Sequence, residues 1–205
     1  MERNRGRQSS QLNEQAQVDS VNGALALRPQ IETIIDQIWE EGFDGIYFIG
    51  IGGTYASSIQ VEVYMRGRSK LPIYVENAAE FLTTGNKRFT EKSVVIYSSV
   101  SGNTKEMVQL VDRVHEIGAR VFAFIDTPNS ILTQPDKQDY LILYPMNEQL
   151  KFYMTANYLM YKNGEFDEYD RYNKEMELTL QMHWFRLKRI RMNGLMNMQR
   201  IRWHF

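Results

Sequence analysis

A run of hydroxyl residues follows an apolar segment and opens an amphipathic helix. The run reads Ser98-Ser99-Val100-Ser101-Gly102-Asn103-Thr104. A helix start has unpaired backbone N–H groups and about half a positive charge from the macrodipole, so hydroxyls there can join the backbone in binding a dianionic phosphate. Gly102 lets the backbone approach the phosphate oxygens closely. The residues predicted to bind phosphate are Ser99, Val100, Ser101, Gly102, Asn103 and Thr104.

Helix capping is the alternative role for these hydroxyls. Ser and Thr commonly cap helices, so Ser101 or Thr104 could act only as an N-cap, with Glu106 as an acid in the first turn. A cap needs a single hydroxyl, whereas this run supplies several. We therefore favour the phosphate site.

A glycine turn follows the first predicted strand. Residues 48–58 read FIGIGGTYASS, at the first crossover, where open α/β sheets bind ligands. The turn could be a dinucleotide fingerprint, with Glu76 as the acid that binds the ribose. However, Tyr55 stands where that fingerprint needs a small residue for close helix–strand packing. The pattern therefore argues against NAD or NADP, and no Gly-Lys-Ser/Thr follows to make a P-loop.

Three segments together resemble the sugar isomerase (SIS) domain family. GIGGTYASS is similar to the family's Gly-x-Gly-x-Ser-x-x-x-Ala opening, SSVSGNT to its Ser-x-Ser-Gly-x-Thr loop, and Ala79-Glu80-Phe81 to its Ala-x-Glu-Phe segment. The matches keep the family's order over roughly Ile31 to Met160. Within the family, the chain looks most similar to fructosamine-6-phosphate deglycases and to the first SIS half of the isomerase domain of glucosamine-6-phosphate synthase.

The resemblance implies that the ligand is a phosphorylated sugar or aminosugar. Thr54 would touch the sugar or phosphate, because it keeps the hydroxyl of the more usual Ser. Glu80 would line the pocket and is the one candidate for a catalytic residue; its alternative role is an ordinary exposed helix acid. The residues implied to bind the ligand are Gly52, Gly53, Thr54, Ser99, Ser101 and Thr104.

This sequence lacks part of the catalytic machinery that the resemblance implies. Isomerisation or deglycation needs a base and an acid, commonly Glu and His. The relatives place these groups in a second SIS half with a Glu-x-x-His-Gly-Pro type segment, which this sequence lacks. His115 lies mid-helix and is predicted to be a solvated or core-edge histidine. The leading hypothesis is a phosphosugar-binding part of an isomerase or deglycase; a sensor that binds without turnover is the alternative.

Alternating strand and helix patterns position these motifs. Apolar residues at helical spacing predict helices at Leu27–Glu41 and Thr104–Ile117, ended by Gly42 and Gly118. We predict a three-layer α/β/α fold with a five-stranded, mainly parallel sheet and flanking helices, which the resemblance specifies as flavodoxin-like. The predicted strands are Gly45–Ile51, Leu71–Val75, Ser93–Ser98, Arg120–Ile125 and Tyr140–Tyr144.

Three regions are predicted along the chain. Residues 1–23 form a polar arm, residues 24–165 the phosphosugar-binding domain, and residues 166–205 a C-terminal helix and an atypical tail. The tail, residues 183–205, has six Arg plus Lys and no acidic residue. A solvated extension is favoured there over a membrane or RNA surface, and a truncated or frame-altered gene end would give the same composition change. After Pro145 a helix with Leu150, Met154, Tyr158 and Tyr161 on one face should close the sheet or form an oligomer interface.

Composition narrows the class of protein. The 205 residues carry a net charge of -1 and no cysteine, so a disulfide framework, a thiolate metal site and a Cys nucleophile are excluded. The three histidines are too scattered to suggest a metal site. No run is apolar enough for a membrane span, and no overall field would gather nucleic acid. We expect a cytoplasmic homo-oligomer with no cofactor, no metal, no membrane and no nucleic-acid partner.

Overall fold

The structure is a computed structural model that describes residues 16, 18–176 and 178–179. The chain divides between Asp167 and Glu168 into two compact units. The first unit contains the α/β fold. In the second, residues 169–176 are helical, where a helix was predicted from about Phe166. The basic tail, residues 183–205, lies outside the described residues.

Strands and helices alternate through the first unit, as the apolar patterns predict. Two short 3₁₀ turns, Ile131–Thr133 and Pro135–Lys137, lie between the fourth and fifth strands. The strands are β1 (Gly45–Gly50), β2 (Ile73–Asn77), β3 (Ser93–Ser99), β4 (Arg120–Ile125) and β5 (Tyr140–Leu143). The helices are α1 (Arg28–Glu41), α2 (Gly53–Arg66), α3 (Ala78–Thr84), α4 (Lys105–Ile117) and α5 (Glu148–Lys162).

The five strands form one parallel sheet in the order β2-β1-β3-β4-β5. Parallel neighbours need crossover connections, and helices on both faces supply them. This strand order is the flavodoxin-like one. The predicted three-layer α/β fold with a five-stranded sheet is therefore confirmed, and the sheet is parallel throughout.

Both faces of the sheet are buried, which is why its strands read as continuous apolar runs. Every residue of β1 and β3 is buried. On one face Tyr47 and Ile49 pack with residues of α3 and α4 in a single core cluster. On the other face the rings of Phe48 and Phe124 contact that of Phe152 on α5, with centroids 5.4 and 6.1 Å apart.

Helix α4 begins and ends where its sequence pattern places it. The buried side of α4 consists of Met107, Leu110, Val111 and Val114, the predicted apolar stripe. Gly118 ends this helix in the left-handed region, at φ 90°, and its N–H donates to the carbonyls of Val114 and His115. The left-handed region favours glycine because a Cβ atom is disfavoured there.

Helix α5 differs from its prediction. A single apolar face was expected, but residues 154–160 are buried without a break. Leu150, a member of the predicted face, is half-buried, and Tyr161 is 41% exposed. The physical reason is that α5 packs against the sheet and also against α1 and α2, so most of its circumference is covered.

The predicted N-terminal arm contains a helix. Residues 18–25 are helical, and Ala24 is buried. The Tyr144 hydroxyl donates to the carbonyl of Ser20 at 2.9 Å, and Asn147 donates to the Ser20 hydroxyl. The segment 18–25 is therefore bound to the chain that leaves β5. Among the described residues, no helix has both the length and the apolar character needed to cross a membrane.

Candidate functional site

The two motif loops leave neighbouring strands on the same edge of the sheet. The glycine turn, residues 50–54, follows β1, and the hydroxyl loop, residues 98–104, spans the end of β3 and the start of α4. Strands β1 and β3 pair in register, with Phe48 opposite Ile96. The chain continues from β1 to β2 on one side and from β3 to β4 on the other. This is a topological switch point, the place where open α/β sheets form a ligand crevice.

Hydrogen bonds within the hydroxyl loop fix its shape. The buried Ser99 hydroxyl accepts from the N–H of Gly102 at 3.1 Å. Ser101 Oγ accepts from the N–H of Asn103 at 3.2 Å and lies 3.3 Å from Thr104 Oγ1. The side-chain amide of Asn103 donates to the Ser101 carbonyl at 3.0 Å. The hydroxyls of Ser101 and Thr104 therefore sit side by side at the start of α4.

The start of α4 lacks a side-chain cap. Thr104 occupies the N-cap position with extended backbone, but its side chain makes no capping hydrogen bond. By contrast, α3 is capped by the side chain of Asn77, which accepts from the N–H groups of Ala79 and Glu80. The first-turn N–H groups of any α-helix have no acceptor inside the helix. Capping therefore does not explain the hydroxyls at the start of α4.

A second loop holds the hydroxyl loop from the side. This loop, residues 126–132, follows β4 and is called the β4 loop below. Four hydrogen bonds join it to the hydroxyl loop, and three of them end on main-chain carbonyls. They run from Asp126 N to Ser99 O (3.1 Å), Thr127 Oγ1 to Val100 O (2.7 Å), Ile131 N to Asn103 Oδ1 (2.9 Å) and Leu132 N to Gly102 O (2.9 Å).

Two of the predicted phosphate-binding residues take part in this framework. Both ends of the Asn103 amide are used inside the protein, by Ile131 N and by the Ser101 carbonyl. Val100 is 62% exposed, and its carbonyl accepts from Thr127. The structure thus brings Ser99, Val100, Ser101, Gly102, Asn103 and Thr104 together in one loop and gives them different surroundings.

The glycine turn uses its hydroxyl internally. Thr54 Oγ1 accepts from the N–H of Ile51 and donates to the carbonyl of Ile51, both at 3.0 Å. The exposed Gly52 has φ 59°, and Gly53 is exposed with open space around it. The hydroxyl that was expected to touch the ligand is therefore bonded to the turn itself, while the start of α2 has no side-chain cap.

Glu80 lies at the same edge of the sheet, on α3. Asn77 ends β2 and is registered with Gly50 of β1, so α3 begins beside the glycine turn. Glu80 is exposed in the first turn of α3. Glu76, the residue weighed as a ribose-binding acid, accepts from the side chain of Asn86 at 2.7 Å.

His115 is remote from this edge. Its Nε2 atom lies 3.2 Å from Asp139 Oδ2, and that oxygen also accepts from the N–H of Val121 near the start of β4. The histidine therefore belongs to the opposite, amino end of the strands. Within the described part of the chain, no three His, Cys, Asp or Glu side chains are grouped to hold a metal ion.

A buried ion pair that was not predicted joins the β4 loop to α5. Lys151 of α5 is fully buried, and its Nζ atom lies 3.2 Å from Asp126 Oδ1. Burial lowers the pKa of the Lys151 ammonium, and the Asp126 carboxylate opposes that shift. Asp126 directly follows the buried strand β4, which is the one sequence signal that could have identified it.

The fold defines the class of protein: a three-layer α/β domain with flavodoxin-like strand order and two helix starts at the switch point. The family model for the SIS domain matches residues 43–161, which is more than half of the chain. The chain belongs to the SIS domain family. This match contains both motif loops, the β4 loop and nearly all of α5.

Curated relatives agree with this assignment. A glutamine–fructose-6-phosphate aminotransferase (isomerizing) from Fusobacterium nucleatum is 24% identical over 148 residues, covering 66% of this chain and 24% of the relative. The enzyme of the same name from Bacillus cereus is 27% identical over 122 residues, covering 59% of this chain and 19% of the relative. The chain thus matches a quarter or less of the length of these relatives.

Solved structures share the fold. A protein described as a phosphosugar isomerase from Bacillus subtilis has a TM-score of 0.68 and 20% identity, covering 82% of this chain and 54% of that one. The Vibrio vulnificus NanR protein, solved in complex with ManNAc-6P, has a TM-score of 0.62 and 16% identity, covering 83% of this chain and 69% of that one. These likenesses show that the chain shares the fold of both proteins.

Proposed function

We propose that this chain binds a phosphorylated sugar or aminosugar at the hydroxyl loop. The uncapped start of α4 beside the paired hydroxyls of Ser101 and Thr104 is the observation that carries the proposal. N–H groups of the helix start and the two hydroxyls offer several donors within one short segment, and a phosphate dianion offers the matching acceptors. The family membership supports a sugar phosphate over other anions.

The attraction for the anion is local. The whole chain has a net charge of -1, so no general field would draw a phosphate to it. Helices α2 and α4 both begin at the switch point without a side-chain cap, and each start has the positive end of a helix dipole. Two such ends beside adjacent strands favour a dianion between the glycine turn and the hydroxyl loop.

The sugar phosphate would be handled as part of an aminosugar-phosphate isomerase or a fructosamine-6-phosphate deglycase. The names of the curated relatives support an aminosugar pathway, although the chain matches only part of their length. A second copy of the chain would complete the site, which makes a cytoplasmic homo-oligomer the proposed working form. Glu80 is the candidate from this copy for a carboxylate in the pocket.

A sensor that binds without turnover is the second candidate. Its support is that His115, the one histidine among the described residues, lies at the amino end of the strands with Asp139. No described histidine is therefore available at the carboxyl edge as the usual acid or base. Incubation with fructose 6-phosphate, glucosamine 6-phosphate or a fructosamine 6-phosphate, followed by NMR, separates the candidates, because only an enzyme produces the resonances of a new sugar.

Thermal unfolding with a panel of ligands tests the binding itself. The panel is fructose 6-phosphate, glucosamine 6-phosphate, a fructosamine 6-phosphate, inorganic phosphate and NAD. A ligand at 100 times its Kd adds about 2.7 kcal/mol of stability, which raises Tm by roughly 5–10 °C in a chain of this size. The double variant Ser101→Ala/Thr104→Val should lose this shift. Thr33→Val removes an exposed hydroxyl from α1 and should keep it.

Each outcome has a definite meaning. A shift with a sugar phosphate that disappears in the double variant supports the hydroxyl loop as the site. An equal shift with inorganic phosphate reduces the proposal to a general anion site, and a shift with NAD alone favours the dinucleotide alternative. A folded protein that no sugar phosphate stabilises would contradict the proposal.

A further inference from the structure

The buried lysine on α5 connects three parts of the fold near the hydroxyl loop. Lys151 is 0% exposed, and its Nζ atom donates to the carbonyl of Tyr144 at 2.8 Å as well as pairing with Asp126 at 3.2 Å. The same ammonium lies 5.6 Å from the ring centroid of Phe124. A buried charge is retained only when it is paired and hydrogen-bonded, and these contacts meet that condition.

Asp126 is the centre of this arrangement. Its backbone N–H donates to the carbonyl of Ser99 at 3.1 Å, so its position fixes the first hydrogen bond between the β4 loop and the hydroxyl loop. Its second carboxylate oxygen accepts from the N–H of Met146 at 2.9 Å. One aspartate therefore contacts the hydroxyl loop, the chain after β5 and, through Lys151, helix α5.

The segment that Asp126 holds has unfavourable backbone geometry. Met146 and Asn147 have φ values of 64° and 51°, in the left-handed region that L side chains disfavour. Such geometry persists only where the surroundings enforce it. The bonds from Met146 to Asp126, from Lys151 to the Tyr144 carbonyl and from Asn147 to Ser20 are among the contacts that hold this segment.

We propose that Lys151 is a positioning residue for the sugar-phosphate site, acting through Asp126 on the carbonyl of Ser99 and hence on the shape of the hydroxyl loop. Lys151 itself touches no ligand, because its side chain is fully buried. The expected effect of Lys151 on sugar-phosphate binding rests on the proposed function. The structural link from α5 to the hydroxyl loop rests only on the contacts of Lys151 and Asp126.

Removing the ammonium should disturb the loop more than it disturbs α5. In Lys151→Met the Asp126 carboxylate, whose side chain is 12% exposed, loses its cation. An unpaired carboxylate in that position is costly, so the β4 loop must move to hydrate it. That movement should weaken the hydrogen bond from the N–H of Asp126 to the carbonyl of Ser99. A second change, Asp126→Asn, removes the stranded charge and keeps an oxygen that can accept from Met146.

Helix α5 supplies a matched control. Lys162 near its end pairs with Asp36 of α1 at 2.8 Å, and its side chain is 26% exposed. Lys162→Met therefore removes the same kind of lysine–aspartate pair from the same helix, away from the hydroxyl loop. A general loss of helix stability would affect both variants, whereas a positioning role affects Lys151→Met alone.

The experiment combines two readouts on wild type, Lys151→Met, Lys162→Met and the double variant Asp126→Asn/Lys151→Met. The first is amide hydrogen exchange of the hydroxyl loop in the ligand-free protein. The second is the Kd of the sugar phosphate that stabilises the wild type. We expect faster exchange at Gly102 and Asp126 and a Kd about tenfold weaker in Lys151→Met, since small misplacements of binding groups have effects of this order. The double variant should recover part of both, and Lys162→Met should match wild type.

The outcomes separate the positioning role from the proposed function. Unchanged exchange and Kd in Lys151→Met, or equal changes in Lys162→Met, would overturn the positioning role. A double variant no better than Lys151→Met would also count against it, because the stranded carboxylate would then not be the cause. If the wild type binds no sugar phosphate while exchange still rises selectively in Lys151→Met, the link is supported and the proposed function fails.

Discussion

Gly102 packs so closely on Ser130 that a Cβ atom at Gly102 would lie 1.9 Å from Ser130 Oγ. Gly102 also has φ 62°, in the left-handed region. The hydroxyl loop therefore contacts the β4 loop at Gly102, where there is no room for a side chain and the backbone is left-handed. Two independent requirements for glycine coincide at this position, one conformational and one steric.

Gly102→Ala should be strongly destabilising. Left-handed strain and the forced displacement of Ser130 together should lower the free energy of unfolding by about 2–4 kcal/mol. Gly118→Ala is the control, because Gly118 has φ 90° but its added Cβ atom meets only Glu91 Cβ, at 3.6 Å. That variant should lose only about 1–2 kcal/mol. Urea denaturation measures both, and equal losses would show that the contact with Ser130 does not matter.

Asn103 should stabilise the hydroxyl loop through the hydrogen bonds of its side-chain amide. Asn103→Ala leaves the N–H of Ile131 without its acceptor and should cost about 0.5–1.5 kcal/mol of stability. Asn103→Asp keeps an oxygen for that N–H but adds a negative charge to the proposed anion site. We expect the aspartate variant to be less stable than wild type, because it loses the hydrogen bond from the Asn103 amide to the Ser101 carbonyl. It should also bind sugar phosphate more weakly than the alanine variant. Denaturation and ligand titration together check this, and tighter binding by the aspartate variant would contradict the anion site.

Gly50 should tolerate no side chain. A Cβ atom there would lie 2.6 Å from the N atom of Tyr55 and 2.7 Å from the carbonyl carbon of Thr54. Backbone atoms cannot give way as a side chain can, so Gly50→Ala should lower stability by about 3 kcal/mol. Gly53→Ala, with nothing within 4 Å and a helical position, should raise it by about 0.5 kcal/mol. Circular dichroism melts of the two variants test the contrast.

Ionisation of the Tyr47 hydroxyl should make the protein less stable at alkaline pH. Burial raises the pKa of its hydroxyl to about 12, with Tyr74 as the next cause. The folded state therefore keeps a proton that an unfolded tyrosine loses near pH 10. The contribution of Tyr47 to the free energy of unfolding is therefore fully present below about pH 10 and is lost as the pH rises toward 12.

Tyr47→Phe is the test of that assignment. The Tyr47 hydroxyl has no hydrogen-bond partner among the described residues, so its removal leaves no group unpaired. Stability at neutral pH should be unchanged or up to about 1 kcal/mol higher. Denaturation midpoints between about pH 10 and 12 should fall less steeply with pH than in wild type. An unchanged slope would mean that other groups account for the loss.

Local patterns predicted the elements because the relevant contacts are near in sequence. The stripe of α4 and its stop at Gly118 follow from periodicity and backbone preference, and Arg120–Ile125 is a strand with the predicted bounds. The fold class followed from alternation of these elements. The burial of α5 did not, because coverage by α1 and α2 depends on how the whole unit packs.

The sequence could place the two motif loops at one edge of the sheet, but it could not predict the hydrogen bonds that shape them. The bonds from Thr127 to Val100 and from Ile131 to Asn103 join residues 27 and 28 positions apart, and nothing periodic marks them. Thr54 was expected to face a ligand, but its hydroxyl is bonded to Ile51. Lys151 gave no signal because a lysine among apolar helix residues is normally read as solvated.

The bonds between the hydroxyl loop and the β4 loop affect how the ligand specificity of the hydroxyl loop can change in evolution. Three of the four bonds end on carbonyls, those of Ser99, Val100 and Gly102, which every amino acid supplies. The side chain of Val100 can therefore be exchanged without removing a bond that shapes the loop. Descendants of such a chain can change what they recognise by point substitution while inheriting an unaltered backbone.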